Sequence, residues 1–448
     1  MLASRMATGV VQSAVELTSS AASVAKAPSP AGSAEEALLC FVNKKSGGGA
    51  GTRVYNSYVE LLGAGNVVDL GVLSGNSELD ATLAKYAGAP HFGARILACG
   101  GDGTGGWLLA AVDRVTHAAQ QSAPDTKCSF SLAMMPLGTG NDMSRQFRWG
   151  TGFSRRMLSA RWVERVRAAQ KRPLDRWKVI VWPSKTDPGD QPPPVMTVHT
   201  EASHPTKGTI HKAVRRGNSF SGAGEEEHSK ADGLEQPTGD PDFFTGTFTN
   251  YFSLGSDAKV ANAFHVARDA NPKAFKSQIG NQIYYARMGA TVGGLFGCLP
   301  CCCPRTPPRL SADGVQLFVR TAASPPGDVG QAANRVEIPK GVRALAFLGL
   351  TNYGGGRNLW GRMPSTQWTK PSICDGVLDI VGFTSPVQMG CVMGCNYFRS
   401  AVRIAQGTEV KVEMPNRNFV QIDGEPWVQS SAIIEIICEP DKAQMLQG

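Results

Sequence analysis

The stretch Ile96-Leu-Ala-Cys-Gly-Gly-Asp-Gly-Thr-Gly-Gly-Trp-Leu-Leu109 constrains this chain more than any other segment. An apolar strand runs into glycines around one carboxylate and then into an apolar helix. Such a turn lays backbone N–H groups and the positive end of a helix against a phosphate. Glycine is needed there because a side chain would block the approach. Asp102 places a carboxylate where a phosphate-bound Mg2+ sits. The turn predicts a nucleotide phosphate site of the kind kinases use. Gly101, Gly103 and Gly106 also fit the looser G-x-G-x-x-G dinucleotide pattern, which asks for an acidic residue at the tip of the next strand to hold a ribose. The next strand, read over Cys128–Met135, ends instead in Pro136-Leu-Gly-Thr-Gly-Asn-Asp142. Either glycine turn alone would serve as a tight corner in an ordinary α/β sheet; two of them predict two loops facing one polyphosphate.

Strand and helix signals alternate from Ala37-Leu-Leu-Cys-Phe-Val42 to about Trp149, which predicts a parallel sheet with helices on its faces. The first strand also ends in a glycine turn, Asn43-Lys-Lys-Ser-Gly-Gly-Gly-Ala-Gly51, so three strand tips of one sheet carry such loops. Ligands of these sheets bind at the carboxyl ends of the strands. Ser154 to Arg172 reads as a basic amphipathic helix with Met157, Trp162, Val163 and Val166 on one side, expected to pack on the sheet rather than on a membrane. Asp175-Arg-Trp-Lys-Val-Ile-Val-Trp182 reads as a strand. Residues 183–241 are rich in Pro, Gly, Ser and charge and read as a disordered insertion, within which Arg215-Arg-Gly-Asn-Ser219 matches a short phosphorylation-like string. From Thr245 the texture is β-rich, with turns at Ala312-Asp-Gly314, Asn352-Tyr-Gly-Gly-Gly356 and Asp375-Gly376. A second, largely antiparallel domain follows from this pattern. The loop-like Gly297-Cys-Leu-Pro-Cys-Cys-Cys-Pro304 lacks the second pair a zinc site needs, leaving Cys301, Cys302 and Cys303 as acylation candidates or an unmodified thiol loop.

At 448 residues the chain has room for two domains, and 42% hydrophobic residues supply their cores. A net charge of +8 favours anionic partners such as ATP or an acidic membrane surface. Signatures of nucleic-acid-binding modules are missing, so nucleic acid is not the expected partner. The 11 cysteines are not spaced as a disulfide framework, and several lie in apolar strands, which fits a reducing compartment. The sequence has no run of eighteen apolar residues of the kind that crosses a membrane. Residues 1–36 read as a disordered tail without the apolar core of a secretory signal.

Across residues 37 to 432 the chain resembles the eukaryotic diacylglycerol kinases, above all the compact plant type. The resemblance rests on Phe41-Val-Asn-Lys-Lys-Ser-Gly47, Gly100-Gly-Asp-Gly-Thr104, Pro136-Leu-Gly-Thr-Gly-Asn-Asp142 and Asp175-Arg-Trp177. It continues in Asn250-Tyr-Phe-Ser-Leu-Gly-Ser-Asp-Ala258, Phe264-His265, Asn352-Tyr-Gly-Gly-Gly-Arg-Asn-Leu-Trp-Gly361, Asp375-Gly376 and Gln421-Ile-Asp-Gly-Glu-Pro-Trp427. It implies a phosphofructokinase-like α/β domain over 37–174 and a β-rich accessory domain over 175–438, with ATP in the cleft between them. It further implies transfer of the ATP γ-phosphoryl group to diacylglycerol in a membrane surface, by an enzyme that is cytoplasmic and peripherally membrane-associated. Other lipid hydroxyls, of a sphingoid base, ceramide or monoacylglycerol, are the alternative acceptors. Carried over residue by residue, Asn43, Lys45, Ser46, Gly101, Gly103, Thr104, Gly138, Thr139 and Asn141 would bind the nucleotide. Asp102 would position Mg2+, with Asp142 nearby, and Asp375 would sit by a structural metal. Asp102 and Glu425 would be the catalytic carboxylates, Glu425 as general base for the lipid hydroxyl, and the Gln421 strand would pack back toward the first domain. Lys44 departs from the family, which usually has proline there.

Overall fold

The computed structural model describes residues 36–88, 91–124, 127–184, 190, 192–199, 243–271, 314–321, 333–361, 368–385, 388 and 401–448. They build three sheets. The first has the strand order Val67–Asp69, Leu38–Val42, Arg95–Gly100, Ser131–Pro136, Ala443–Gln447, Gln170–Leu174. Its first five strands run parallel and the last antiparallel. Leu38–Val42 and Ser131–Pro136 are buried along their whole length, as expected of parallel strands covered on both faces. Helices Ala50–Leu62, Asn76–Ala84 and Asp102–Ser122 provide the crossovers, and Val54, Leu79 and Leu108 share one buried core with Phe41, Leu97 and Met134 of the strands.

Two details of this sheet differ from the sequence expectation. The amphipathic segment is shorter: a 3-10 turn Arg155–Leu158 and a helix Ala160–Arg167 give way to the strand Gln170–Leu174. Pro173 is tolerated there because the strand lies at the sheet edge, bonded only to Ala443–Gln447. Met157, Val163 and Val166 do join the core under the sheet. The other difference is Ala443–Gln447 itself, which the sequence reading leaves unassigned. It sits between Ser131–Pro136 and Gln170–Leu174, with Met445 and Leu446 fully buried. The Trp149 indole donates to Leu446 O at 2.6 Å.

The other two sheets are antiparallel. One runs Ala333–Val336, Gln316–Arg320, Glu409–Met414, Ala432–Cys438, Trp177–Pro183, Phe243–Phe248, Thr197–His199. The other runs Val402–Gly407, Leu378–Phe383, Ala344–Leu348, Tyr251–Gly255, Asn418–Ile422, Glu425–Gln429. Trp177, Val412 and Ile434 from one meet Phe252, Phe347 and Ile380 from the other, forming a sandwich core. Thr197–His199, inside the span read as an insertion, is the edge strand against Phe243–Phe248. The Arg215–Ser219 string and Cys301–Cys303 lie outside the described residues. The helix Ser256–Ala270 packs on the strands Asn418–Ile422 and Glu425–Gln429. Among the described residues no helix is long and apolar enough to cross a membrane.

Truncating Leu446 to alanine tests the inserted strand. Its fully buried side chain predicts a loss of about 2–5 kcal/mol, read as a lower midpoint in denaturant unfolding.

Candidate active site

Three glycine loops lie at the carboxyl ends of three neighbouring parallel strands. The first follows Leu38–Val42. Asn43 Oδ1 accepts the N–H of Lys45 at 3.1 Å and Asn43 O accepts that of Ser46 at 3.0 Å, which folds the chain back. Gly47, Gly48 and Gly49 then take φ of 67°, 59° and 96° before the helix Ala50–Leu62 begins. L-residues rarely hold three such values in a row, and the run of glycines supplies them. Lys45 is exposed and Ser46 half-buried beside this loop. Lys44, in the usual place of proline, is held instead by an ion pair to Asp69 at 3.0 Å and stands 3.7 Å above the Tyr55 ring.

The second and third loops touch. A side-chain carbon on Gly138 would lie 2.5 Å from Gly101 Cα, so two strand tips meet through glycine alone. Gly103, in the first turn of Asp102–Ser122, has open space around it, as does Gly49. Thr104 sits at the same helix start, its N–H bonded to Gly101 O. Thr139 is half-buried in the third loop. Asn141 is fully buried with φ 55°. Its Oδ1 accepts from Gly138 N at 2.8 Å, and its Nδ2 donates to Gly138 O and Thr151 O. The amide is thus committed to shaping the loop.

Asp102 spans two of the loops. Its two oxygens accept the N–H groups of Asp142 and Met143, both at 2.9 Å. Asp142 is 3% exposed and accepts in turn from Gly355 and Gly356 of the second domain at 2.7–3.0 Å. The Asn352 amide donates to Asp142 O, and Thr351 Oγ1 donates to Gln146 Oε1. Burial pushes both carboxyls above the ordinary range, and for Asp102 the neighbouring Asp142 charge adds to it. The backbone N–H bonds pull the other way.

The Asp-Gly-Glu-Pro turn joins this arrangement from the second domain. Asp423 accepts the N–H groups of Thr249, Asn250 and Tyr251 at 2.8–2.9 Å, and its Oδ2 lies 4.0 Å from where a side chain on Gly106 would start. The Gln421 strand itself lies in the antiparallel sandwich, between Tyr251–Gly255 and Glu425–Gln429, and the later strand Ala443–Gln447 is the one that joins the first sheet. Arg176 is 2% exposed, pairs with Asp113 at 3.0 Å and contributes a favourable charge to Asp423. Glu425 opens the next strand with its side chain 46% exposed, and His265 Nδ1 stands 3.9 Å from Glu425 Oε2. Burial, then the Arg268 guanidinium, hold this imidazole below the ordinary histidine value. At 3.9 Å the two side chains are near neighbours without a hydrogen bond between them.

The sequence singled out neither Asp423 nor Arg176 for a role, although both lie in quoted motifs. The open space at Gly49 and Gly103, each beside the start of a helix, fits a polyphosphate. The metal candidates are placed differently. Among the described residues no three His, Cys, Asp or Glu side chains gather to hold an ion. Asp142 has both oxygens committed to glycine N–H groups. Asp375 lies elsewhere, exposed, with Oδ1 accepting Val377 N. Beside it Gly376 N donates to Asp175, which also pairs with Lys442 at 2.7 Å. No direct metal cage is formed by Asp102, Asp142 and Asp375 together.

Two measurements probe buried carboxylates, Asp142 of the site and Asp379 on the strand Leu378–Phe383. Asp142→Ala orphans the Gly355 and Gly356 N–H groups, and a loss of about 1–3 kcal/mol in unfolding free energy is expected. Asp379 is 3% exposed, and burial, helped by the Asp375 charge, raises its carboxyl to about 7 despite the Gln406 bond. A raised carboxyl value means the folded state holds the proton more tightly, so its contribution is complete below the unfolded value, about 3.9, and is lost as pH rises through about 7. Asp379→Asn should therefore gain stability relative to the parent between pH 4 and pH 8, read as the difference in midpoint at each pH.

The diacylglycerol kinase catalytic domain model matches residues 37–178, and the diacylglycerol kinase accessory domain model matches residues 247–426. Diacylglycerol kinase theta of Homo sapiens is 31% identical over 418 residues, covering 92% of this chain and 35% of that protein. Diacylglycerol kinase 7 of Arabidopsis thaliana is 29% identical over 439 residues, covering 92% of this chain and 81% of that one. A crystal structure of a diacylglycerol kinase from Bacillus anthracis str. Sterne aligns with a TM-score of 0.42 at 12% identity, covering 92% of this chain and 97% of that one. The chain spans only 35% of the length of the human, mouse and rat relatives it matches. The two domain models take in most of the chain, one on each side of the joint that Asp142 makes with Gly355 and Gly356, and the chain belongs to the diacylglycerol kinase family.

Proposed function

We propose that this chain transfers the γ-phosphoryl group of ATP to the free hydroxyl of diacylglycerol, giving phosphatidic acid and ADP. The observation that carries the reading is the convergence of three glycine loops at one end of the parallel sheet, with Asp423 of the Asp-Gly-Glu-Pro turn 4.0 Å from where a side chain on Gly106 would start. Phosphoryl transfer depends mainly on alignment and charge neutralisation, and this end of the sheet offers both. The N–H groups of Gly47–Gly49 and Gly103 are the donors offered to phosphate oxygens, Thr104 holds the helix start with its N–H bonded to Gly101 O, and the exposed Lys45 adds a positive charge. Asn43, Ser46, Gly101, Gly138, Thr139 and Asn141 give the loops their shape. ATP supplies an electrophilic phosphorus and a stable leaving group. A Mg2+ arriving with it would take most of its ligands from phosphate and water, with Asp102 the carboxylate at the glycine turn.

Glu425 is half-exposed at the start of its strand, free to reach a lipid hydroxyl. A carboxylate within hydrogen-bond reach removes the proton as the new O–P bond forms. The acceptor resides in a bilayer, so the enzyme works at a membrane surface. The net charge of +8 supports attraction to anionic lipid there.

Transfer of labelled phosphate from ATP with Mg2+ into mixed micelles tests the proposal, with diacylglycerol, monoacylglycerol, ceramide and sphingosine offered separately. Label is expected in phosphatidic acid. Glu425→Gln should lower kcat by about 10²–10⁴-fold while ATP binding stays. Label in another lipid alone would reject the substrate; full activity in Glu425→Gln would reject the base.

A further inference from the structure

The glycine loops and the Asp-Gly-Glu-Pro turn leave one strongly charged surface without a role. Residues 145–172 carry nine Lys and Arg against one acid, Glu164, an excess as large as the net charge of the whole chain, +8. Four of the nine are engaged locally: Arg145 with Gly140 O, Arg167 with Glu164, Lys171 with Glu36 and Arg172 with Gln447. The other five, Arg148, Arg155, Arg156, Arg161 and Arg165, are exposed. The Arg165 guanidinium lies over two indoles, 5.4 Å from the Trp149 ring and 5.0 Å from that of Trp162. The remaining four side chains have no partner among the described residues.

The fold explains why this charge collects on one side. Met157, Val163 and Val166 of the turn Arg155–Leu158 and the helix Ala160–Arg167 are buried in the core of the first domain, so the arginines between them face outward. Arg148 takes φ 61°, a value that suits glycine or asparagine better, so the backbone gives no reason for an arginine there. The face also has a direction. At one end Thr151 O accepts from the Asn141 amide of the third glycine loop, and Gly150 O accepts from Ser144 Oγ. Arg53, in the first turn of the helix that follows the first glycine loop, stands 5.9 Å from the Phe153 ring. At the other end Arg95, the first residue of its strand, donates to Val166 O and Ala169 O. The arginine face therefore runs down the side of the first domain, from the glycine loops to the amino end of the parallel sheet.

We infer that the face formed by Arg148, Arg155, Arg156, Arg161 and Arg165 is the surface by which this chain docks on an anionic lipid bilayer. The choice of a bilayer rests on the reading of diacylglycerol as acceptor. A lipid acceptor brings the enzyme against a membrane, and each turnover adds a negative phosphate monoester to it. Guanidinium groups suit such a surface because their paired N–H donors match phosphate oxygens. The contact is electrostatic, since the apolar side of the segment is already packed in the core. The bilayer meets the protein beside the first and third glycine loops, at the end of the sheet where the lipid hydroxyl has to arrive. Each arginine near an anionic surface contributes about fivefold in binding. Salt weakens the attraction, as the Debye length shrinks from about 8 Å at physiological ionic strength to about 3 Å at 1 M.

Sedimentation of the full chain with vesicles tests the inference, in the absence of ATP and diacylglycerol. The vesicles are phosphatidylcholine alone, or phosphatidylcholine with phosphatidylserine. Binding is expected to the anionic vesicles only, and it should fall with salt. Arg155→Gln, Arg156→Gln and Arg161→Gln together should weaken it about a hundredfold. Arg335→Gln, Lys340→Gln and Lys370→Gln remove the same charge from exposed positions of the second domain and should leave it nearly unchanged. All six side chains are exposed, so both triple variants should melt with the parent. In neutral detergent micelles the first triple variant should phosphorylate diacylglycerol at the parental rate, while on anionic vesicles its rate falls with its binding. Equal loss in both triple variants assigns the effect to net charge rather than to this face and overturns the inference. So does a parent indifferent to phosphatidylserine, and so does one that ignores anionic vesicles yet binds nucleic acid through the same arginines. Vesicle binding needs no catalysis: a parent that docks through this face but labels no diacylglycerol upholds the face and fails the proposed reaction.

Discussion

The carboxylate of Asp102, held by the N–H groups of Asp142 and Met143, is the interaction on which the site depends. It joins the start of one helix to the start of another and so fixes two glycine loops relative to each other. Asp142 extends the same device outward, offering its own carboxylate to the glycine turn of the second domain. Two acidic groups this close repel, and burial makes it worse. What makes the pair tolerable is the supply of backbone donors: helix starts and a glycine turn present N–H groups that no other partner claims. Asp423 repeats the principle with three consecutive N–H groups. The joint between the domains is a carboxylate, Asp142, solvated by the backbone of the other domain, whereas Asp423 is solvated by the backbone of its own.

Much of this was legible in the sequence because glycine has few other reasons to cluster. Three glycine turns after three apolar strands specify a parallel sheet with its loops at one end, and the structure has that sheet. The direct contact of Gly101 with Gly138 was not legible, since it requires knowing that the two strands are neighbours. Nor was the use of Asp142 and Asn141. An acid and an amide in a glycine turn look like ligands for metal or nucleotide, and the tertiary partners that occupy them lie more than two hundred residues away for Asp142 and within the turn for Asn141.

Other differences have equally local causes. The predicted helix to Arg172 continued too far because Arg- and Lys-rich residues mask a short edge strand with little apolar content. Ala443-Gln-Met-Leu-Gln447 carries two adjacent large apolar residues and no alternation, so its burial on both sides is set by its neighbours. Lys44 departs from the proline usual there, and the Asp69 pair and the Tyr55 ring replace what the rigidity of proline would give. Glu425 and His265 were both visible as motif residues, but only the helix packing puts one opposite the other.

The place of Ala443–Gln447 in the first sheet bears on how the chain reaches its native state. Without that strand, Ser131–Pro136 and Gln170–Leu174 have a gap between them, and Trp149 lacks its carbonyl partner. The nucleotide domain is thus finished by residues that leave the ribosome after the whole antiparallel sandwich has been made. Closing a contact across some three hundred residues is slow compared with forming hairpins. During synthesis the parallel sheet would carry an open edge in its middle, a surface prone to pairing with other chains and a natural client for chaperones. The two halves, separate in chemistry, are one unit in assembly.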